Sequence, residues 1–192
     1  MGKPPPTKTF GMRVPTDLYE KLLYDVERLR SARSSAESKY AAFDCAVDSW
    51  HLVDWTLHFA SDAAYERLSG HKRHSPKKGN VTVEASFLEA QKGRLPALEV
   101  CHTLANSVKH REVRNDRMPT LWTGHTGIFL WSEPASDTGK RSVTGVRLLT
   151  YLEADGERHN AVDLFEAMAA QWRAFLIQEE LFEFRLALPE DE

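Results

Sequence analysis

Long hydrophobic runs are missing from this 192-residue chain. No apolar stretch approaches the ~20 residues that a membrane helix needs, so a bilayer-spanning helix and a membrane partner are not expected. Residues 1–6 are Met-Gly-Lys-Pro-Pro-Pro. They lack the apolar segment of a signal peptide, and Pro6 stands where a myristoylation signal needs Ser or Thr. These absences predict an uncleaved, soluble, cytoplasmic protein. Cysteine is equally scarce. Cys45 and Cys101 are the only two, with no CxxC pair, which argues against a disulfide framework or a zinc–thiolate cluster. Both lie in apolar helical patterns and read as buried free thiols of a reducing compartment. A strong charge of either sign is absent too. The formal net charge of −3 gives the whole molecule no long-range pull on nucleic acid or anionic lipid. There is no Gly-rich phosphate loop or dinucleotide fingerprint, no GxSxG nucleophile elbow, no internal repeat and no interdomain linker.

What the chain does have is apolar residues at helical spacing. They make up 42% of it, with five Trp and nine Phe, enough for one sizeable core. Residues 1–15 read as a flexible arm, and 16–192 as a single mainly α domain. It is predicted as a bundle of four or so helices, with a β-hairpin appendage at about 120–153 and a C-terminal helix packed on it. The first helix starts at Thr16 or Asp17, with Leu18, Leu22, Val26 and Leu29 as its buried stripe and Glu20, Lys21, Asp25, Glu27 and Arg28 as a solvated face. The second covers about 36–60 and is apolar on most sides, which predicts a central place in the bundle. Residues 62–68 continue it as a short amphipathic piece ended by Gly70. A helix from about Thr82 breaks near Gly93, and Leu95-Pro96 opens the next, whose stripe is Ala97, Val100, Cys101, Leu104 and Val108. Two runs rich in Trp, Phe, Ile, Val and Thr, 121–131 and 143–152, read as strands. A third short strand follows the Asp155-Gly156 turn. Helical spacing then runs from about 161 to 184.

Two polar rows in this apolar pattern are candidates for chemistry. His102, Asn106 and His110 recur every four residues, with Lys109 between the turns, and so share one flank of a helix. His51, Asp54 and His58 sit at i, i+3, i+7 beside the Phe43–Val47–Trp50 face of the second helix, a placement that predicts an interface or cleft. Histidine titrates near neutral pH, and a carboxylate beside it tunes it for acid–base work. His110 is then the acid/base, Lys109 a phosphate contact, Asn106 an orienting group, and Asp54 the partner of His51. The alternative is a divalent ion such as zinc on His51, Asp54, His58 and His102. His51 and His58 are about 10 Å apart along a helix axis, so Asp54 would have to be the central ligand. With a nuclease, no cofactor is needed. Segment 70–80 holds four Lys/Arg and two His in eleven residues. Lys77 and Lys78 there, with Arg111, are candidate phosphate contacts.

Asn106-Ser107-Val108-Lys109-His110 resembles the distal part of the Arg-Asn-x-x-x-His motif of HEPN-type helical domains. Many of those are metal-independent ribonucleases in toxin, antiphage and RNA-processing systems. Their arginine and histidine face one cleft across a dimer. The resemblance implies RNA as partner, a homodimer, and His110 and Asn106 in the motif's histidine and asparagine positions. Ala105 stands where the family has arginine, which leaves Lys109 or Arg111 to carry the phosphate charge. Taken with Asn106–His110, the stretch Trp50-His51-Leu52-Val53-Asp54-Trp55 is also similar to bacterial and phage-associated helical proteins, a likeness that carries no activity. A non-catalytic protein-interaction module using the aromatic strands, Trp122, Phe129 and Trp131, is the remaining alternative.

Overall fold

The computed structural model describes residues 8–74, 81–109, 118–131 and 139–185, without the side chains of 108–109, 128–129, 131 and 145–147. Helices α1 (Pro15–Ser31), α2 (Ser35–Phe59), α3 (Asp62–Ser69), α4 (Val83–Gln91) and α5 (Leu98–Lys109) come first. Strands β1 (Trp122–Trp131), β2 (Val143–Ala154) and β3 (Glu157–Asn160) follow, and α6 (Ala161–Gln178) comes last. The mainly helical reading with a small antiparallel sheet therefore holds.

Five of the described helices begin at a residue or pair that organises the N-terminal turn. Asp17 reaches back to accept from the Arg13 and Val14 backbones, with Pro15 at the first position of α1. Ser34 and Glu37 form a capping box on α2. Ser61, Thr82 and Asn160 cap α3, α4 and α6. Helix α2 is central: it packs against α1, α5 and α6 and touches α4 and β2. The buried stripe of α1 is Leu18, Leu22, Val26 and Leu29. A ring cluster from two other helices fills the core. Phe87 of α4 stacks on Trp172 of α6 at 6.4 Å between centroids, and Phe175 meets both edge-on.

The sheet order is β1-β2-β3, antiparallel throughout. Thr123 pairs with Leu152 and Gly124 with Tyr151. Asp155 and Gly156 both have positive φ (52° and 80°), the two-residue turn that matches strand twist. Leu152, 3% exposed, is the sheet's anchor in the core, and Thr150 meets Ser38 of α2 through their hydroxyls. Trp122 is 71% exposed. Phe129 and Trp131 lie outside the described side chains.

Two boundaries and one helix face differ from the sequence reading. Helix α5 starts at Leu98, because residues 95–97 form a turn in which the Leu98 N–H donates to the Leu95 carbonyl at 3.0 Å. Helix α6 stops at Gln178 instead of running to 184. Glu180 takes the left-handed conformation (φ 58°), Leu181 N–H donates to the Leu176 carbonyl at 2.8 Å and Glu180 N–H to that of Ile177 at 3.1 Å, the Schellman closure. The chain then turns back onto α1, where Phe182 meets Tyr19 edge-on and the Glu183 N–H donates to Thr16. The third correction concerns the face of α1 read as solvated: Asp25 is 1% exposed.

Candidate functional site

The histidine row of α2 points outward. His51, Asp54 and His58 are all exposed, while Ala41, Cys45, Leu52, Val53 and Leu57 face the core. Its spacing predicts an interface or a cleft, and the row lies outside the helix interface. It borders an open groove of about 600 Å³ that Asp54 and His58 line together with Arg13, Trp55 and Phe59. The Trp55 and Phe59 rings lie one turn apart, 6.4 Å between centroids and 17° from parallel, and His58 meets Phe59 edge-on at 5.2 Å. Among the described residues no carboxylate pairs with the Arg13 guanidinium. The Asp54 carboxyl is pushed above its ordinary range, first by desolvation and then by the charge of Glu84, with His51 acting in the opposite sense. Arg13 and the two rings complete this groove, and sequence spacing gave no signal for Arg13, which approaches from the segment before α1.

The α5 row is placed differently. His102 packs against Trp50 at 4.1 Å between ring centroids, and the Asn106 amide is hydrogen-bonded to its Nε2 at 2.7 Å. Lys109 ends the helix with its side chain undescribed, and His110, Arg111, Lys77 and Lys78 lie outside the described residues. Helices α2 and α5 are antiparallel: Ser49 bonds Cys101, whereas Leu104 shares a cavity wall with the earlier residues Ala42 and Phe43. From the Trp50–His102 contact, Asp54 is four residues one way and Lys109 seven the other. At ~1.5 Å per residue that separates their backbones by about 16 Å along the helix pair. Among the described residues, one chain does not bring the two rows into a single cleft.

Nor is the metal set gathered. Among the described residues no three His, Cys, Asp or Glu side chains are grouped to hold an ion. His102 is turned to Trp50 and Asn106, and the α2 row opens to solvent. The cationic loop is spent partly on local structure. Arg73 donates to the Leu57 and Ala60 carbonyls at 3.0 and 2.6 Å and pairs with Asp62, closing the end of α2. His71 bonds Ser86. Cys45 and Cys101 are buried free thiols. Burial pushes both up, Cys101 to about 12, which leaves neither as a nucleophile.

Two features escape the sequence reading. One is a charge network in the α1–α2 seam. Lys21 donates to Asp25 at 2.7 Å and to both oxygens of Asp48 at 2.9 and 2.8 Å, while Arg28 bonds Asp25 and, at 2.9 Å, Asp44. Burial raises the Asp48 carboxyl to about 7, and its hydrogen bond with Asp25 adds to this against the pull of Lys21. For Asp25 burial also raises, but the bonds from Lys21, Asp48 and Arg28 outweigh it and the net direction is down. The pair thus shares one proton and one lysine. It lines neither the groove nor the second cavity, so it serves structure. The signal was present: Asp25 falls in the stripe of Leu18, Leu22 and Leu29, and Asp48 in that of Ala41, Cys45 and Leu52.

The other feature is a cavity of about 520 Å³ between the sheet and helices α2, α5 and α6. Its buried floor includes Leu104, Leu152, Ala161 and Phe165, and the exposed Lys39 and His125 also line it. It forms because the sheet is pinned to the bundle near Leu152 and Thr150, leaving the neighbouring strand surface unfilled. No family model, curated protein or solved structure matches this chain.

Proposed function

We propose that the chain is a HEPN-like protein that binds or cleaves RNA in a toxin, stress or phage-defence setting, with the α2 groove as its reactive surface. The observation that carries this reading is the grouping of Asp54, His58, Arg13, the half-buried Trp55 and the exposed Phe59 in one groove, the two rings stacked. Each member suits a part of RNA chemistry. Arg13 offers a planar fork for a phosphate. The aromatic faces take a splayed base, worth about 1–3 kcal/mol per stacked base. In a metal-independent cleavage His110 of a second copy takes the proton of the 2′-hydroxyl, whose oxygen attacks the adjacent phosphorus, and His58 adds an N–H donor to the phosphate beside Arg13. Asp54, whose carboxyl is raised by desolvation and the charge of Glu84, is the group that gives a proton to the departing 5′-oxygen. The products are a 2′,3′-cyclic phosphate and a 5′-hydroxyl.

Asn106, Lys109 and His110 belong to the same proposal through a second copy. The antiparallel α2–α5 pair carries Asn106 and the backbone of Lys109 away from Asp54 on one chain, and a site using both rows would then draw on a homodimer, as the resemblance implies. Structured RNA incubated in EDTA tests the chemistry. Asp54→Asn and His110→Ala should each lower the single-turnover rate by about 100-fold or more, and unchanged rates would refute it. Mixing the two inactive variants tests the shared site. Random mixed dimers, each with one site free of both changes, should regain about a quarter of wild-type activity. No recovery would place all catalytic groups on one chain. A non-catalytic interaction module is favoured instead by the apolar hairpin surface of Trp122, Leu130 and Val143, all exposed. If RNA is neither bound nor cleaved, loss of a pulled-down partner on Trp122→Ser is the result that supports it.

A further inference from the structure

We infer that the cavity between the sheet and the bundle is a binding site for a small amphipathic carboxylate, with an apolar body and one anionic head. It shares no residue with the α2 groove, so it stands or falls independently of the RNA reading.

The lining divides into buried apolar residues and exposed nitrogen-bearing ones. Leu104, Leu152, Ala161 and Phe165 are buried, and they present only hydrocarbon and one aromatic ring. Lys39 and His125, in contrast, are exposed members of the same wall. They come from different layers, α2 and β1, so nitrogen-bearing side chains stand on both the bundle side and the sheet side of the lining. None of the lining residues is acidic. Among the described residues no carboxylate pairs with Lys39, whose ammonium lies 5.2 Å over the neighbouring Tyr40 ring. A cation at the rim of an apolar pocket, with no internal anion to satisfy it, is complementary to a negative head on an apolar tail.

The inner face of the hairpin fits this use. Alternation along β1 puts Thr123 and His125 on the same face as their partners Leu152 and Thr150, toward the bundle. Thr150 is engaged by Ser38; Thr123 adds a hydroxyl beside the floor. At about 520 Å³ the space lies within the range of about 300–1,000 Å³ typical of small-molecule sites, which are mostly apolar with a few placed polar groups. A medium-chain or aryl carboxylate fills it. A polyanion does not suit it, because Lys39 is the one Lys or Arg among the lining residues.

Isothermal titration of the full chain with decanoate, its neutral counterpart decanol, and adenosine monophosphate tests the assignment. Decanoate should bind at one site per chain, and decanol about tenfold more weakly. Lys39→Gln changes an exposed side chain. It should weaken decanoate about tenfold and leave decanol unchanged, a split that general loss of structure would not give. Ala42→Met places a longer side chain on the half-buried wall of α2 and should abolish both, with an unchanged urea midpoint as the control for folding. No decanoate binding, or binding indifferent to both substitutions, overturns the site. Equal affinities for decanoate and decanol overturn the anionic head. Preference for adenosine monophosphate overturns the carboxylate assignment and gives the cavity to a nucleotide.

Discussion

Replacing Asp48 by Asn should remove a pH dependence from the stability of this fold, and the network in the α1–α2 seam sets the size of the effect. Asp48 is 3% exposed, hydrogen-bonded to Lys21 and to Asp25. Its carboxyl is raised from 3.8 to about 7. A carboxyl raised in the folded state binds its proton more tightly there than in the unfolded chain. Its stabilising contribution is whole below 3.8 and is lost as pH rises through about 7. A rise of about three pH units is worth about 4 kcal/mol once the group is fully ionised in both states. Asp25 works in the opposite sense: its carboxyl is depressed, so its contribution is present above 3.8 and lost as pH falls through its lower folded value. That window lies below pH 4 and does not overlap the first.

Between pH 4.5 and 8.5 the wild type should therefore lose roughly 2–4 kcal/mol relative to Asp48→Asn, whose amide can donate to Asp25 and accept from Lys21 without titrating. Urea unfolding of both proteins at pH 4.5, 6.5 and 8.5 measures it, and their difference cancels the histidines and surface carboxyls common to both. A difference independent of pH would refute the shared-proton account. So would a wild type that gains on the variant as pH rises.

The same network predicts that Lys21→Met, which leaves two buried carboxyls without their shared ammonium, costs about 3–5 kcal/mol in urea unfolding at pH 7. Glu180→Gly should stabilise by about 1 kcal/mol, because Glu180 holds a left-handed backbone that an L side chain resists; a lower midpoint would show that its side chain does more than end α6. Gly124→Val should destabilise the hairpin by about 1–3 kcal/mol. A Cβ at position 124 would sit 2.5 Å from the Tyr151 hydroxyl, displacing a ring on which Arg158 stacks at 4.1 Å. A tyrosine NMR resonance unmoved by the substitution would refute that contact.

The helices were legible in the sequence because their boundaries and their buried faces are local facts. Ser34 with Glu37, Thr82 and Asn160 each begin a helix by chemistry contained within a few residues. Asp155-Gly156 specifies its turn alone. The end of α6 was not legible for the converse reason. No Gly or Pro marks it, and Leu181 and Phe182 prolong the apolar spacing, although they pack through a reversed chain: Phe182 reaches Tyr19 of α1.

The polar residues of α2 show where local reading fails and what would mend it. His51, Asp54 and His58 drew attention as a row of chemistry-bearing groups, and Asp48 did not, as a single acid among apolar neighbours. Their fates are reversed: the row is exposed and Asp48 is buried. Spacing distinguishes them. Asp48 is three residues after Cys45 and four before Leu52, both fully buried, and Asp25 is three after Leu22 and four before Leu29. An acid on a core stripe demands a cation, and α1 supplies Lys21 one turn before Asp25, with Arg28 three residues after it. The two defects answer one another across the α1–α2 seam, so each is intelligible only when both helices are read together. The outward row has no such partner in the bundle. What it has is Arg13, brought from the segment before α1, and its own aromatic neighbours Trp55 and Phe59. A buried acid network holds the scaffold, and the exposed row, free of that duty, is what the proposed RNA site is built on.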